Sequence, residues 1–120
     1  DLILFHAESS IYSTKPIENK NVSICIFDSL WDTIALVERA DLVISVDTAI
    51  VHIACALNKK IVSIYFSQLI DDNKNYHGNK IFAPIDIDID NRARQLIFDT
   101  CHNGINISNI SKNALSLLSK

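Results

Sequence analysis

The sequence lacks several features that would assign it to a functional class at once. It has no excess of basic residues, because 11 Lys and Arg stand against 14 Asp and Glu. The resulting net charge of -3 provides no electrostatic footprint for nucleic acid. No apolar run approaches the roughly 18 residues that span a bilayer, and no signal-peptide pattern is present. These absences argue against nucleic-acid-binding and membrane-spanning proteins.

Cysteine and methionine are also scarce. The three cysteines, Cys25, Cys55 and Cys101, are odd in number and far apart, which favours reduced thiols in a cytosolic compartment over a disulfide or zinc framework. Methionine is absent, although a complete translation product normally begins with one. We therefore expect an N-terminal part of the natural protein to be absent. The 120 residues, 48% hydrophobic, are predicted to form one domain with a real core.

The stretch from residue 40 to residue 66 organises the rest of the chain. Its β-branched run Leu42–Val46 predicts a strand that is buried on both faces. The run Ile61–Phe66 predicts a second such strand. Between them a helical stripe ends at the polar residues 58–60; the stripe consists of Ile50, Ile53, Ala54 and Leu57. This order predicts a β-α-β unit with parallel strands and a right-handed crossover.

The turn between the first strand and the helix carries Asp47 and Thr48, and His52 follows one helical turn later. Open parallel sheets bind ligands beyond the carboxyl ends of their strands, where helix N-termini present free N–H groups. Structural alternatives exist for each residue. Asp47 could be only an N-cap, Thr48 a first-turn residue with a solvated hydroxyl, and His52 a hydrogen-bonded structural histidine.

The remaining elements are predicted from similar patterns. Residues 2–5 and 22–27 predict strands, and Asp28-Ser29 predicts the N-cap of a helix that reaches Arg39. Trp31 lies off the apolar stripe of that helix, so we expect a partly covered surface aromatic. Tyr65 is expected to be a packing residue.

The C-terminal half is less regular. Residues 67–79 predict a long surface loop and residues 80–83 a short edge strand. Asp86, Asp88 and Asp90 alternate with isoleucines, a pattern that fits an exposed strand edge better than a cation site. Residues 91–102 fit a helix or a strand. Ser108 or Ser111 is expected to cap a last helix with an apolar stripe, namely Ile110, Ala114, Leu117 and Leu118.

The stretch from Ala40 to Tyr65 resembles the C-terminal domain of family 9 glycosyltransferases, the bacterial lipopolysaccharide heptosyltransferases. In that family a strand ends in Val-Asp-Thr/Ser-Gly-x-x-His before a helix rich in small residues. Here the same run is Val46-Asp47-Thr48-Ala49-Ile50-Val51-His52. The segment Phe27-Asp28-Ser29-Leu30 is similar to the serine-leucine helix start that precedes this strand in the family.

The resemblance implies a fold and a set of donor-binding residues. The fold is α/β, a Rossmann-like open parallel sheet with flanking helices, which forms the C-terminal half of a GT-B architecture. By analogy Thr48 and the N–H of residue 49 meet the diphosphate of a nucleotide sugar, Asp47 lies near the donor sugar or ribose, and His52 is the motif histidine. Glu8 corresponds to a family glutamate that contacts the ribose.

Ala49 departs from the motif, which has glycine at this position. If the position requires a positive φ, alanine costs on the order of 1 kcal/mol and its methyl group crowds the phosphate. If φ is negative, the exchange is nearly neutral. The outcome therefore depends on the backbone conformation of this residue.

The function that the resemblance implies is transfer of a sugar from a nucleoside diphosphate donor, ADP-heptose by analogy, to a lipid A-core oligosaccharide. Inversion is expected, without a metal or cofactor, and the catalytic base is expected in an N-terminal acceptor domain that this chain lacks. A cytoplasmic location is implied, with peripheral association at the inner membrane left open. Two alternatives remain: a degenerate, non-catalytic Rossmann-like binding domain, and a free-standing flavodoxin-like or receiver-like module.

Overall fold

The structure is a computed structural model of the chain. It describes residues 2–6, 20–26, 29–66, 84, 93–98 and 106–119. The chain divides into two compact units, Asp1–Leu36 and Val37–Lys120. Each unit is described by itself.

The first unit contains a two-stranded parallel sheet and the start of a helix. Strand β1 is Leu2–His6 and strand β2 is Val22–Ile26, with Leu2 opposite Val22 and His6 opposite Ile26. Both strands were predicted, and each differs from its predicted range by one residue. Helix α1, Leu30–Arg39, follows β2 and continues into the second unit.

Helix α1 begins as the sequence predicts. The Asp32 amide donates to the Ser29 hydroxyl at 3.2 Å, and that hydroxyl donates to the Asp32 carboxylate at 2.7 Å. Ser29 therefore supplies the helix cap, with an acidic residue in the first turn that complements the positive end of the helix. Trp31 is 78% exposed, which is more than the partial cover that we expected.

The second unit is built on a three-stranded parallel sheet. Strands β3 (Leu42–Val46), β4 (Lys60–Phe66) and β5 (Ala93–Phe98) lie in the order β3-β4-β5. Helix α2, Ala49–Ala56, connects β3 to β4 and confirms the predicted β-α-β unit. Strand β5 resolves the segment that the sequence left open between helix and strand.

The two faces of this sheet carry different helices. Neighbouring residues of a strand point to opposite faces, and Ile61 packs with α2 and the end of α1, whereas Val62 packs with helix α3, Ile107–Leu118. The core on the α2 face consists of Val37, Val43, Val51, Ala54, Ile61 and Ala93, and that on the α3 face of Val62, Ala114 and Leu117 with Leu42 and Leu96 against it. The predicted Rossmann-like parallel sheet with flanking helices is confirmed.

Helix α2 buries a wider face than the predicted stripe. Val51, which the stripe omitted, and Ala54 are both 0% exposed, while Ile50, Ile53 and Leu57 are partly buried around them. The small side chain of Ala54 lets the helix lie close to the sheet. The middle of the buried face of the helix is therefore at Val51. The apolar period alone could not show this shift.

Helix α3 begins earlier than predicted. Its N-cap is Asn106, whose side chain accepts a hydrogen bond from the Asn109 amide at 3.2 Å, so the expectation of Ser108 or Ser111 is wrong. Asparagine caps helices as well as serine does. The stripe centres on Ala114 and Leu117, and Leu118 is half exposed.

Several predictions concern segments that lie outside the described residues. They are the loop at 67–79, the edge strand at 80–83, the alternating carboxylates Asp86, Asp88 and Asp90, and Glu8. Within the described part of the chain, no helix has the length and apolar character needed to cross a membrane.

The end of α2 is fixed by a left-handed residue. Asn58 has φ 59, and it is the one non-glycine residue with positive φ among those described. Its amide donates to the Cys55 carbonyl at 3.0 Å, and the Lys59 amide donates to the Ala54 carbonyl at 2.9 Å. These two bonds form a Schellman cap, in which glycine or asparagine is favoured. The polar helix end predicted at residues 58–60 is thereby confirmed.

We predict that Asn58→Ala lowers the free energy of unfolding by about 1 kcal/mol, because alanine lacks the tolerance of asparagine for this backbone region. Asn58→Gly is the matched control and is expected to equal or exceed the wild type, since glycine adopts positive φ without a penalty. Urea unfolding of the three chains measures the difference. Equal stability of the alanine and glycine variants would contradict the assignment.

Candidate functional site

The carboxyl end of β3 passes directly into α2. The Asp47 amide donates to the Ile64 carbonyl at 3.0 Å, so the ladder between β3 and β4 extends one residue beyond the strand. The Asp47 side chain is exposed, and among the described residues its carboxylate has no hydrogen-bond partner. Asp47 is therefore not the N-cap of α2, and the structural alternative predicted for it is wrong.

Thr48 is the N-cap instead. Its backbone is extended, with φ -148 and ψ 172, and its hydroxyl accepts a hydrogen bond from the Ile50 amide at 3.4 Å. Its carbonyl accepts from the Val51 amide at 3.1 Å. The predicted alternative of a first-turn residue with a solvated hydroxyl is thus wrong as well. Aspartate and threonine both cap helices, and the extended ladder at Asp47 moves the cap to the next residue.

The Thr48 hydroxyl also lies close to a side chain of β3, that of Ser45. The Ser45 hydroxyl donates to the Val46 carbonyl at 2.9 Å and lies 3.1 Å from the Thr48 hydroxyl. A hydroxyl group has one proton. Because the Ser45 proton is engaged by the carbonyl, we assign the Thr48 hydroxyl as the donor to Ser45.

A second hydroxyl chain runs beside the first, on β4. Ser63 is fully buried, donates to the Arg94 carbonyl at 3.2 Å, and is also hydrogen-bonded to the Tyr65 side chain. Ser45 and Ser63 are register partners, so both chains lie on the α2 face of the sheet.

Tyr65 shows what the sequence analysis missed. It was expected to be a packing residue and is indeed 1% exposed, but it also takes part in a buried polar chain. Burial raises the pKa of the Tyr65 phenol above its ordinary value of 10.0; the Ser63 hydrogen bond opposes this shift, and the charges of Asp47 and Cys55 add to it. The signal in the sequence was two serines at matching positions of two apolar strands.

Ala49 opens α2 as an ordinary helical residue. Its φ is not positive, so the conformational cost considered for alanine in place of the motif glycine does not arise. The side chain is exposed, and its amide has no acceptor among the residues that the structure describes. The first N–H of the helix is therefore available to an external group.

His52 shares the exposed face of α2 with Ala49 and Ala56. A structural histidine would be buried against a partner, and within the described residues the structure gives its ring no such partner. The predicted alternative of a structural histidine therefore finds no support among the described residues, and a binding role stays a prediction. Glu8, the remaining predicted site residue, lies outside the described residues.

The site therefore combines a helix amide that has no acceptor among the described residues with oxygen-rich side chains. The N-terminus of a helix carries a partial positive charge, and free N–H groups there suit an anion. The carboxylate of Asp47 suits hydroxyl donors, such as those of a sugar or ribose. No group of three or more His, Cys, Asp or Glu residues that could hold a metal ion occurs in the described ranges.

We predict that Tyr65→Phe lowers the free energy of unfolding near neutral pH by about 1 kcal/mol, because the bond to Ser63 is lost while the ring still packs. The pKa of Tyr65 is higher in the folded chain than in the unfolded chain. The neutral phenol therefore stabilises the fold fully at pH values below the unfolded pKa, and this stabilisation is lost as the pH rises through the folded pKa. The difference between wild type and variant should therefore shrink above about pH 10. Urea unfolding across pH 7 to 11 tests this, and a difference that stays constant would contradict the buried neutral phenol.

The family model of glycosyltransferase family 9 (heptosyltransferase) matches residues 8–81, more than half of the chain, and the matched region includes β2 to β4 and the turn from Asp47 to His52. No curated protein and no solved structure matches significantly. The β-α-β unit and its motif thus agree with the family match, and the chain belongs to glycosyltransferase family 9 (heptosyltransferase).

Proposed function

We propose that this chain is the donor-binding domain of a family 9 glycosyltransferase of the GT-B type. It would bind a nucleoside diphosphate sugar, ADP-heptose by analogy with the family, for transfer to a lipid A-core oligosaccharide at the cytoplasmic side of the inner membrane. Family membership supports a sugar donor and a sugar acceptor in general. The geometry at the start of α2 supports the donor half of this proposal.

The observation that carries the proposal is the exposed N-terminus of α2 at the carboxyl end of β3. The Ala49 amide has no acceptor among the described residues, and the helix dipole makes this end electropositive. A diphosphate placed there would receive the amide hydrogen bond without displacing a side chain. Backbone donors held in this way need no reorganisation when charge develops on the leaving group.

The side chains around this amide divide between two chemical tasks. Thr48 lies next to the amide and offers a hydroxyl to a phosphoryl oxygen. Asp47 would repel phosphate but accepts hydrogen bonds from hydroxyl groups, so we assign it to the donor sugar or ribose. His52 is one turn into the helix on the same exposed face as Ala49, and we assign it to the diphosphate. Glu8 is assigned to the ribose by analogy alone.

The reaction that fits these roles is a direct displacement with inversion. A base from a separate N-terminal acceptor domain would remove the proton of the acceptor hydroxyl, which attacks the anomeric carbon as the bond to the diphosphate breaks. This domain would stabilise the departing negative charge with the α2 amide and the Thr48 hydroxyl, without a metal ion. Holding the donor in a fixed position lowers the entropic part of the barrier.

A degenerate binding domain is the second candidate. Ala49 in place of the motif glycine would favour it if the position required a positive φ, but the helical conformation of Ala49 removes this conformational argument. The two candidates differ in one property, which is affinity for a nucleoside diphosphate.

We predict that the folded chain binds one of ADP, UDP or GDP at millimolar concentration or tighter in calorimetry. Thr48→Val should weaken binding roughly tenfold or more, because a hydrogen bond to a charged phosphate is lost. Asp47→Ala should also weaken it, through loss of the contact to a sugar or ribose hydroxyl. Ser111→Ala, which removes an exposed hydroxyl bonded to the Ile107 carbonyl on α3, is the control and should bind as the wild type does.

Each outcome of this titration decides between the candidates. Selective binding of one nucleotide that both site variants weaken supports the donor domain. Absence of binding by a chain that is folded by circular dichroism overturns it in favour of the degenerate domain. Binding that neither variant changes would overturn the assignment of the site.

We further predict that Ala49→Gly does not improve nucleotide affinity, because the native φ is one that alanine adopts freely. The variant should instead lose up to about 1 kcal/mol of folding stability, since glycine is less favourable than alanine in a helix. Calorimetry and urea unfolding on the same preparation measure both effects. A gain in affinity with glycine would show that the Ala49 methyl group crowds the ligand.

A further inference from the structure

The Thr48 hydroxyl makes two hydrogen bonds among the described residues, which leave one lone pair of its oxygen unused. It accepts from the Ile50 amide at 3.4 Å, and it donates to Ser45, 3.1 Å away, because the Ser45 proton is held by the Val46 carbonyl at 2.9 Å. Thr48 is exposed, so a ligand can approach this remaining lone pair. A phosphoryl oxygen that approached Thr48 in this arrangement would meet an oxygen lone pair and be repelled.

We propose that Ser45 restrains the Thr48 hydroxyl and thereby limits the affinity of the site for phosphate. This inference rests on the proposed donor site at the start of α2. Ser45 touches no ligand in this scheme and acts only through Thr48, so it is a positioning residue. It lies outside the family motif on which the site was predicted, which begins at Val46.

Binding then exchanges one hydrogen bond for another. The Thr48 hydroxyl turns about its bond to the β-carbon, the bond to Ser45 breaks, and a bond to a phosphoryl oxygen forms; the proton stays on Thr48 throughout. Ser45 keeps its own hydrogen bond to the Val46 carbonyl and loses only the hydrogen bond that Thr48 donated to it. Because Ser45 is partly buried, that lost donor is not fully replaced by water, and the exchange costs affinity.

The test is nucleotide affinity in a double-mutant cycle. Ser45→Ala removes the competing acceptor, so we expect the nucleoside diphosphate that the chain binds to bind about threefold to tenfold more tightly, the range of a net hydrogen bond. In the Thr48→Val background the same change should have no effect, because no hydroxyl remains to be released. Ser45→Thr keeps the acceptor and should bind as the wild type does, and Ser111→Ala controls for loss of an unrelated serine hydroxyl.

The results separate this inference from the proposed function. A tighter Ser45→Ala variant whose gain vanishes with Thr48→Val supports the restraint. If the wild type binds nucleotide and Ser45→Ala binds equally or more weakly, the restraint is wrong and the donor site stands. A gain that persists with Thr48→Val also overturns it, because Ser45 would then act independently of Thr48. If no variant binds ADP, UDP or GDP, the donor site fails and the restraint fails with it.

Discussion

The second unit depends on the change from strand to helix that follows Val46. The Asp47 amide still belongs to the sheet, through its bond to the Ile64 carbonyl, and Thr48 already caps α2. Two residues therefore separate a parallel strand, in which only Val43 is buried, from a helix whose first amide has no acceptor among the described residues. Val51 and Ala54 seat the helix on the sheet, which places this amide at the sheet edge. The region that matches the family model includes this turn, and the proposed site lies at it.

A second consequence of the fold is the pair of hydroxyl chains beneath α2. Buried polar groups are costly unless they are hydrogen-bonded, and both chains meet this requirement by ending on a backbone carbonyl: Thr48 through Ser45 on β3, and Tyr65 through Ser63 on β4. The first chain reaches the exposed turn, and the second is buried. The sheet register makes Ser45 and Ser63 neighbours. This arrangement gives the apolar α2 face a polar part near the carboxyl ends of the strands, close to where a ligand is proposed.

The sequence predicted the elements well where a regular period decides the structure. The β-α-β unit, the cap at Ser29 and the polar end of α2 followed from apolar alternation, helical spacing and capping preferences. Prediction from the sequence failed where two residues can both fill the same structural role. Asp47 and Thr48 can both cap a helix, and only the register with β4 decides between them; Asn106 competes in the same way with Ser108 and Ser111. The role of Tyr65 was missed because its partner on the sheet face is visible only once the strands are paired. The backbone conformation of Ala49 could not be read from residue types at all.

We propose that the first amide of α2 holds a phosphoryl group. The most direct measurement is a proton–nitrogen correlation NMR spectrum of the chain titrated with ADP, UDP and GDP in turn. For the nucleotide that binds, we expect a saturable downfield shift of the Ala49 amide proton that is larger than the shift of other amide protons. The Ile107 amide at the start of α3, where another exposed polar residue caps the helix, serves as an internal reference and should stay in place. An Ala49 amide that does not move, or that moves no more than Ile107, would contradict the account.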